Sequence, residues 1–189
     1  MSKVPQFQRL DQFKVLANFR GRSALMVQLW WIIQDTLFRW SPQFLFGWRR
    51  FLLRLFGAQI GENVLIRPTA RITYPWKVAI GDHSWIGDEV ILYSLGEIQI
   101  GAHVVISQRA YICTGNHDYT KLNFAISAEP IEIAAEVWIA TDTFIAPGVK
   151  IGPGCVVGAR SSVFEDLPGG KICFGNPAKP RKNRPTSGA

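Results

Sequence analysis

The residues best suited to acid–base chemistry lie in one short stretch, Thr114-Gly115-Asn116-His117-Asp118-Tyr119. Imidazole has an ordinary pKa near neutrality, so His117 can take a proton from a poorly nucleophilic hydroxyl at physiological pH. Asp118 and Glu129 are carboxylates that could bind the second ring nitrogen and fix the tautomer. Capping of the following turn is an equally good reading of Asp118. His83 and His103, twenty residues apart, raise with His117 a different chemistry, a zinc ion held by three histidines. Cys113, Cys155 and Cys173 are odd in number and lack C-x-x-C spacing, so they read as reduced thiols in a cytoplasmic protein.

The scaffold that must position these groups is written in a repeat. From Ile60 a branched aliphatic residue returns every six positions: Ile60, Ile66, Ile72, then Ile80, Ile86, Leu92, then Ile100, Ile106, Ile112. Each run starts twenty residues after the last, so two extra residues bulge out per coil. The period resumes at Ile133, Ile139, Ile145, Ile151, Val157 and Val163. Six residues match neither a helix nor simple alternation. They match a triangular coil whose aliphatic residues point inward and stack into ladders. The fold class expected is an all-β solenoid, a left-handed parallel β-helix of about five coils over 59–168, with glycines after the aliphatic positions permitting the corners. His83 and His103 then fall on one corner, one above the other. Residues 118–130 break the period and form an excursion loop beside His117, where a rigid scaffold tends to carry function.

Residues 1–58 read as a helical cap: Ser23 caps a helix over about 24–40, and Ser41-Pro42 opens another over 42–56. This segment carries nine Lys and Arg against Asp11 and Asp35, a net +7, while the remainder is balanced. Aromatics interleave with Arg49, Arg50 and Arg54, which suits a lipid interface as well as a solenoid cap. The apolar stretch from Ala24 to Phe38 is interrupted by Gln28, Gln34 and Asp35, and is too short to span a bilayer. The N-terminus has no apolar signal-peptide core, and no groove-reading motif accompanies the charge, so nucleic acid is not an expected partner. Residues 169–189 read as a basic, proline-rich tail with a disordered end.

Several stretches go beyond a generic repeat: VQLWW (27–31), WSPQ (40–43), FLLRLFGA (51–58), YPWK (74–77), SQRAYICTGNHDY (107–119), VWIATDTFIAPGVKIG (137–152), VVGARSSVF (156–164) and GNPAK (175–179). On these, residues 20–182 resemble the hexapeptide-repeat O-acetyltransferases, chiefly the colanic acid biosynthesis acetyltransferases and more distantly the maltose and galactoside O-acetyltransferases. A γ-type carbonic anhydrase would share the solenoid, but that arrangement needs a second histidine five residues after His117, and position 122 is leucine.

The resemblance implies an enzyme that moves an acetyl group from acetyl-CoA to a sugar hydroxyl in exopolysaccharide biosynthesis, with no metal. It implies His117 as general base, assisted by Asp118, in a homotrimer with sites between subunits. It implies a donor trough lined by Trp138, the backbone at Ala140 and Thr141, then Ala159 and Arg160. Packing of Trp138 against the loop is the alternative for that residue. Relatives place lysine where this chain has Phe164-Glu165-Asp166, so the phosphate contact falls to Lys179 or its neighbours Lys171, Arg181 and Lys182, with a solvated basic tail as the alternative reading. On the acceptor side Gly87 stands where maltose and galactoside enzymes carry asparagine, leaving Asp88, with Asn116 and Tyr119, as candidate sugar contacts. The location expected is cytoplasmic, and a lipid-linked acceptor would add peripheral contact at the inner face of the plasma membrane through residues 24–56. A non-catalytic scaffold in polysaccharide assembly is the competing function.

Overall fold

The six-residue period winds the chain into a parallel β-helix of three faces. Residues 6–186 are described by the computed structural model; Lys3 and the last three residues of the tail lie outside them. Face A is built from strands 59–60, 78–80, 98–100, 131–133 and 150–151; face B from 65–66, 85–86, 105–106, 138–139, 156–157 and 171–175; face C from 71–72, 91–93, 111–113, 144–145 and 162–163. Leu167 bridges to Ile151 on face A, so the helix completes a sixth turn, one more than the aliphatic count suggests. The aliphatic columns fill the interior: Ile66, Ile86, Ile106, Ile139 and Val157 on face B are at most 1% exposed. Each buried side chain of this size stabilises the fold by roughly 1.5–3 kcal/mol. The small residues four positions on, from Val64 to Ser161, are buried beside them.

The corners work differently from the expectation. Glycines after the aliphatic residues do not supply the left-handed conformation. They admit the next coil: a Cβ on Gly101 would lie 2.6 Å from Ala135 N, and one on Gly152 would lie 2.3 Å from Gly169 N. The left-handed residues sit two positions later and are mostly not glycine: Asn63, His83, His103 and Glu136 on the A/B corner, and Glu89, Arg109, Asp142 and Arg160 on the B/C corner, all with φ between +52° and +62°. His83 and His103 stack with ring centroids 5.1 Å apart, one coil above the other.

Two helices close the open end. α1 (Ala24–Ile33) begins at Ser23, whose hydroxyl accepts from Met26 N–H at 3.3 Å, and passes into a π-helical turn at Gln34–Phe38. α2 (Phe46–Leu55) starts later than the sequence suggests, at Leu45, and Ser41 does not cap it. Ser41 instead donates to the Phe38 carbonyl and accepts from Arg49. The first coil presents unpaired backbone groups on every face, a liability of any sheet edge. Side chains of the helices satisfy them. Arg54 donates to Ile60 O at 2.7 Å, Arg50 to Val64 O at 2.9 Å, Arg49 to Ile66 O at 2.6 Å and Trp30 to Ile72 O at 2.7 Å, while Gln34 accepts from Ile72 N–H at 2.6 Å. The arginines expected at a lipid interface are thus engaged by carbonyls of the first coil; Arg49 is fully buried, Arg50 half-buried and Arg54 exposed. No helix among the described residues is long and apolar enough to cross a membrane.

At the far end the described part of the tail adds two strands: 171–175 joins face B in parallel and 178–183 returns antiparallel as the edge strand.

Candidate active site

His117 does not end a coil strand. The ninth strand stops at Cys113, and His117 belongs to a hairpin in which Gly115–His117 pairs antiparallel with Ile126–Ala128. The hairpin leaves at the C/A corner, where residues 73–77 and 94–97 of the earlier coils also depart from the period. Thr114, fully buried, clamps its base: the hydroxyl donates to Tyr93 O at 2.6 Å and accepts from Gly96 N–H at 2.8 Å, and its carbonyl accepts from Glu129 N–H.

The ring of His117 is fixed by Phe124, seven residues on. The two rings stack at 4.3 Å and 10°, and His117 Nδ1 lies 2.9 Å from the Phe124 carbonyl oxygen. A carbonyl only accepts, so Nδ1 carries the proton in the neutral ring and Nε2 keeps its lone pair. That is the tautomer a general base needs. Phe13 packs on the same ring at 5.9 Å.

The expected carboxylate partners are elsewhere. Asp118 binds the Thr120 hydroxyl, Thr120 N–H at 3.0 Å and Lys121 Nζ at 3.2 Å. The Thr120 hydroxyl and Lys121 hold its carboxyl below the usual range. Asp118 therefore shapes the loop turn, the second of its two readings. The Glu129 carboxylate lies over Gly148 on the next coil.

The donor candidates line face B and the B/C corner. Trp138, 46% exposed, donates from its indole to Ser107 Oγ at 3.1 Å. Ala140 N–H bonds Val157 O at 2.9 Å and so is not free to meet a thioester oxygen. The Thr141 hydroxyl donates to Gln108 O at 2.9 Å. Ala159 and Arg160 are exposed on the same corner, Arg160 beside Asp142 at 3.7 Å. Asp142 is bound more closely by Arg109, which holds its carboxyl low. Lys179 stands on the terminal edge strand and pairs with Glu165 at 2.6 Å.

Among acceptor candidates, Asn116 Oδ1 accepts from His117 N–H at 2.8 Å and Tyr119 is 81% exposed, both on the hairpin. Asp88 is not near them. It sits on the B/C corner, bound by Arg67 at 2.7 Å and Thr69 at 2.8 Å. Burial alone would raise its pKa, but these two hydrogen bonds outweigh burial and lower it.

Within one chain the candidates thus form two groups, separated by face C: Asn116, His117 and Tyr119 at the C/A corner, and Asp88, Trp138, Thr141, Ala159 and Arg160 around the B/C corner. A face of about six residues at ~3.3 Å each spans roughly 20 Å. His83 and His103 are on the third corner, and no group of three metal-ligating side chains occurs among the described residues. A groove of about 1030 Å³ follows face A from Gln59 to Lys150 and holds none of these residues.

Sequence reasoning missed Phe124, Phe13 and Ser107. A backbone carbonyl leaves no residue-type signal, and only the length of the excursion hinted at a hairpin that returns on the histidine.

No protein-family model matches the chain. The chain is 61% identical over 171 residues, covering 90% of its length and 94% of the relative's, to WcaF of Escherichia coli K12, whose name assigns it a provisional role as a colanic acid biosynthesis acetyltransferase. A hexapeptide-repeat acetyltransferase from Vibrio cholerae, solved with acetyl coenzyme A, superposes with a TM-score of 0.78 at 25% identity, over 88% of this chain and 92% of that one. A galactoside acetyltransferase solved with coenzyme A shares the fold, with a TM-score of 0.75 at 21% identity over 96% and 92%. With that identity over nearly its whole length, on a solenoid matched to solved relatives, the chain belongs to the colanic acid biosynthesis acetyltransferase family of hexapeptide-repeat proteins.

Proposed function

We propose that the protein transfers an acetyl group from acetyl-CoA to a sugar hydroxyl in exopolysaccharide biosynthesis, with His117 as general base. The observation that carries this reading is the Nδ1–H to Phe124 carbonyl bond, which leaves Nε2 unprotonated at the end of a rigid hairpin. The hydroxyl gives its proton to Nε2 as its oxygen attacks the thioester carbon. The C–O bond forms, the C–S bond breaks, and the thiolate leaves as CoA thiol by taking the proton back. In the backbone around Ala140 and Thr141, where one amide is expected to meet the thioester oxygen, that of Thr141 is the better suited, because Ala140 is held in the ladder. Trp138, Ala159 and Arg160 line the donor side. Lys179 serves the nucleotide end only by exchanging Glu165 for a phosphate. Release of CoA thiol, followed against a panel of nucleotide-linked and lipid-linked sugars, tests the reading. No release with any sugar would favour a non-catalytic scaffold.

The separation of the two groups supports an assembly in which the hairpin of one copy meets the B/C corner of another, as in a homotrimer. Face B also argues for a covering partner: its outward column of Leu65, Trp85, Val105, Trp138 and Val156 is apolar, whereas Gln59, Gln99, Glu132 and Lys150 line face A. Sedimentation velocity showing an active monomer would overturn this.

Peripheral membrane contact through residues 24–56 finds support in the apolar outer surface of the cap, not in its arginines. Leu25, Leu29, Ile32, Phe44, Phe51 and Leu55 are 45–80% exposed. Of the two carboxylates in residues 6–58, Asp11 pairs with Arg9 and Asp35 with Arg71, while Arg22 and Arg39 are exposed. Such a surface suits an anionic bilayer. Phe44→Glu with Leu55→Glu should abolish co-sedimentation with anionic vesicles and spare activity on a soluble acceptor. Wild-type protein that ignores such vesicles at low salt would remove the lipid role.

A further inference from the structure

Residues 9–20 belong neither to the cap nor to the solenoid. They run as a strap along the C/A corner, tied by hydrogen bonds at both ends. At the hairpin end, Arg9 N–H donates to Leu122 O at 2.6 Å. At the base, Trp76 Nε1 donates to Arg20 O at 2.7 Å and Lys77 Nζ to Phe19 O at 2.7 Å, with the ammonium 5.4 Å from the Phe19 ring centroid. Between these ties nearly every side chain is exposed, Leu16 at 71% and Leu10 at 59% among them. The exception nearest the hairpin is Phe13, half-buried because its ring packs on His117.

The strap adds little to the core: its Phe19 ring packs at the edge of a small cluster of Val27, Tyr74 and Leu95, while the interior of the prism is complete without it. What Phe13 changes is the surroundings of one imidazole. His117 is bonded at Nδ1 and stacked on Phe124, but its ring projects on a hairpin outside the prism, where water would otherwise reach it. Water at a general base competes with the acceptor hydroxyl and, once activated, hydrolyses the donor.

We infer that Phe13 is a positioning residue for the transfer reaction: the N-terminal strap lays it on His117 to hold the ring and limit the access of water to it. The inference rests on the assignment of His117 as the base. It implies that the strap governs partitioning between transfer and hydrolysis, and that it contributes to base orientation without touching the donor.

Diethyl pyrocarbonate modification, read residue by residue by mass spectrometry on the full-length protein, tests this without an activity readout. His83 and His103, exposed on another corner, are internal references in the same molecule. Phe13→Ala should raise the modification rate of His117 several-fold relative to His83 and His103, and Phe13→Leu, which retains apolar bulk, should restore most of the protection. In the transfer assay Phe13→Ala should lower kcat, leave KM for acetyl-CoA unchanged, and raise acceptor-independent acetyl-CoA hydrolysis relative to transfer. Unchanged His117 labelling in Phe13→Ala, or a parallel rise at all three histidines, overturns the inference. Retained activity in His117→Ala would instead remove the base assignment, while the labelling still reports whether the strap covers the ring.

Discussion

His117 and Phe124 meet twice, ring on ring at 4.3 Å and Nδ1 to backbone oxygen at 2.9 Å. A neutral carbonyl therefore does the orienting that a carboxylate does in hydrolase triads. It fixes the tautomer but offers no negative charge to stabilise the imidazolium.

His117→Ala should lower kcat by about 100-fold or more, the usual scale for loss of a general base. Circular dichroism should be unchanged, because the hairpin stands outside the core. A variant retaining most of the wild-type kcat, measured by thiol release, removes His117 from the mechanism.

Asp118→Asn should keep kcat within about tenfold of wild type, since the side chain only organises Thr120 and Lys121 and an amide oxygen can still accept from Thr120. A loss as deep as that of His117→Ala would mean that the carboxylate reaches the ring during turnover.

Arg49→Met should destabilise the protein by about 3 kcal/mol, because it strands the buried Ile66 carbonyl at the open end of the prism and removes the bonds to the partly buried carbonyls of Pro42 and Gln43. Urea unfolding measures it. A midpoint equal to wild type would show that the carbonyls find other partners.

Gly101→Ala should cost roughly 1–3 kcal/mol, as overpacking does, since the new methyl meets Ala135 N at 2.6 Å and the coil spacing cannot widen locally. Thermal melts of the variant check it, with an unchanged Tm as the contrary result.

Burial, with Cys173 Sγ 3.7 Å away, pushes the Cys155 thiol up from 9.0 to about 12. The folded state thus holds this proton more tightly than the unfolded state. The resulting stability is complete below pH 9 and is lost as pH climbs from 9 towards 12. Cys155→Ala should show a shallower fall in Tm between pH 8 and 10.5 than wild type; equal slopes would refute the linkage.

The solenoid was legible because its signal is one-dimensional. A residue that must point inward once per face has to recur every six positions, and Ile60 to Val163 announce it without knowledge of any contact. The stacking of His83 on His103 followed from the same count. The motif around Asn116-His117 singled out His117 as the candidate base, since residue type carries that chemistry. Three features needed the folded chain. Arg49, Arg50 and Arg54 look like a lipid-facing cluster in sequence, but their targets are carbonyls of the first coil, and an acceptor common to every residue cannot be read from residue types. Asp118 looked like the partner of His117 because it is adjacent, yet it lies just past the strand and its carboxylate is engaged by Thr120 and Lys121 in the following turn. The group that does bind the ring is brought there by the return of the hairpin from Phe124, and the Phe13 ring by a strap more than a hundred positions earlier in the chain. The repeat fixes contacts that recur with a period, whereas contacts made once, through the backbone or across long separations, are decided only when the chain closes on itself.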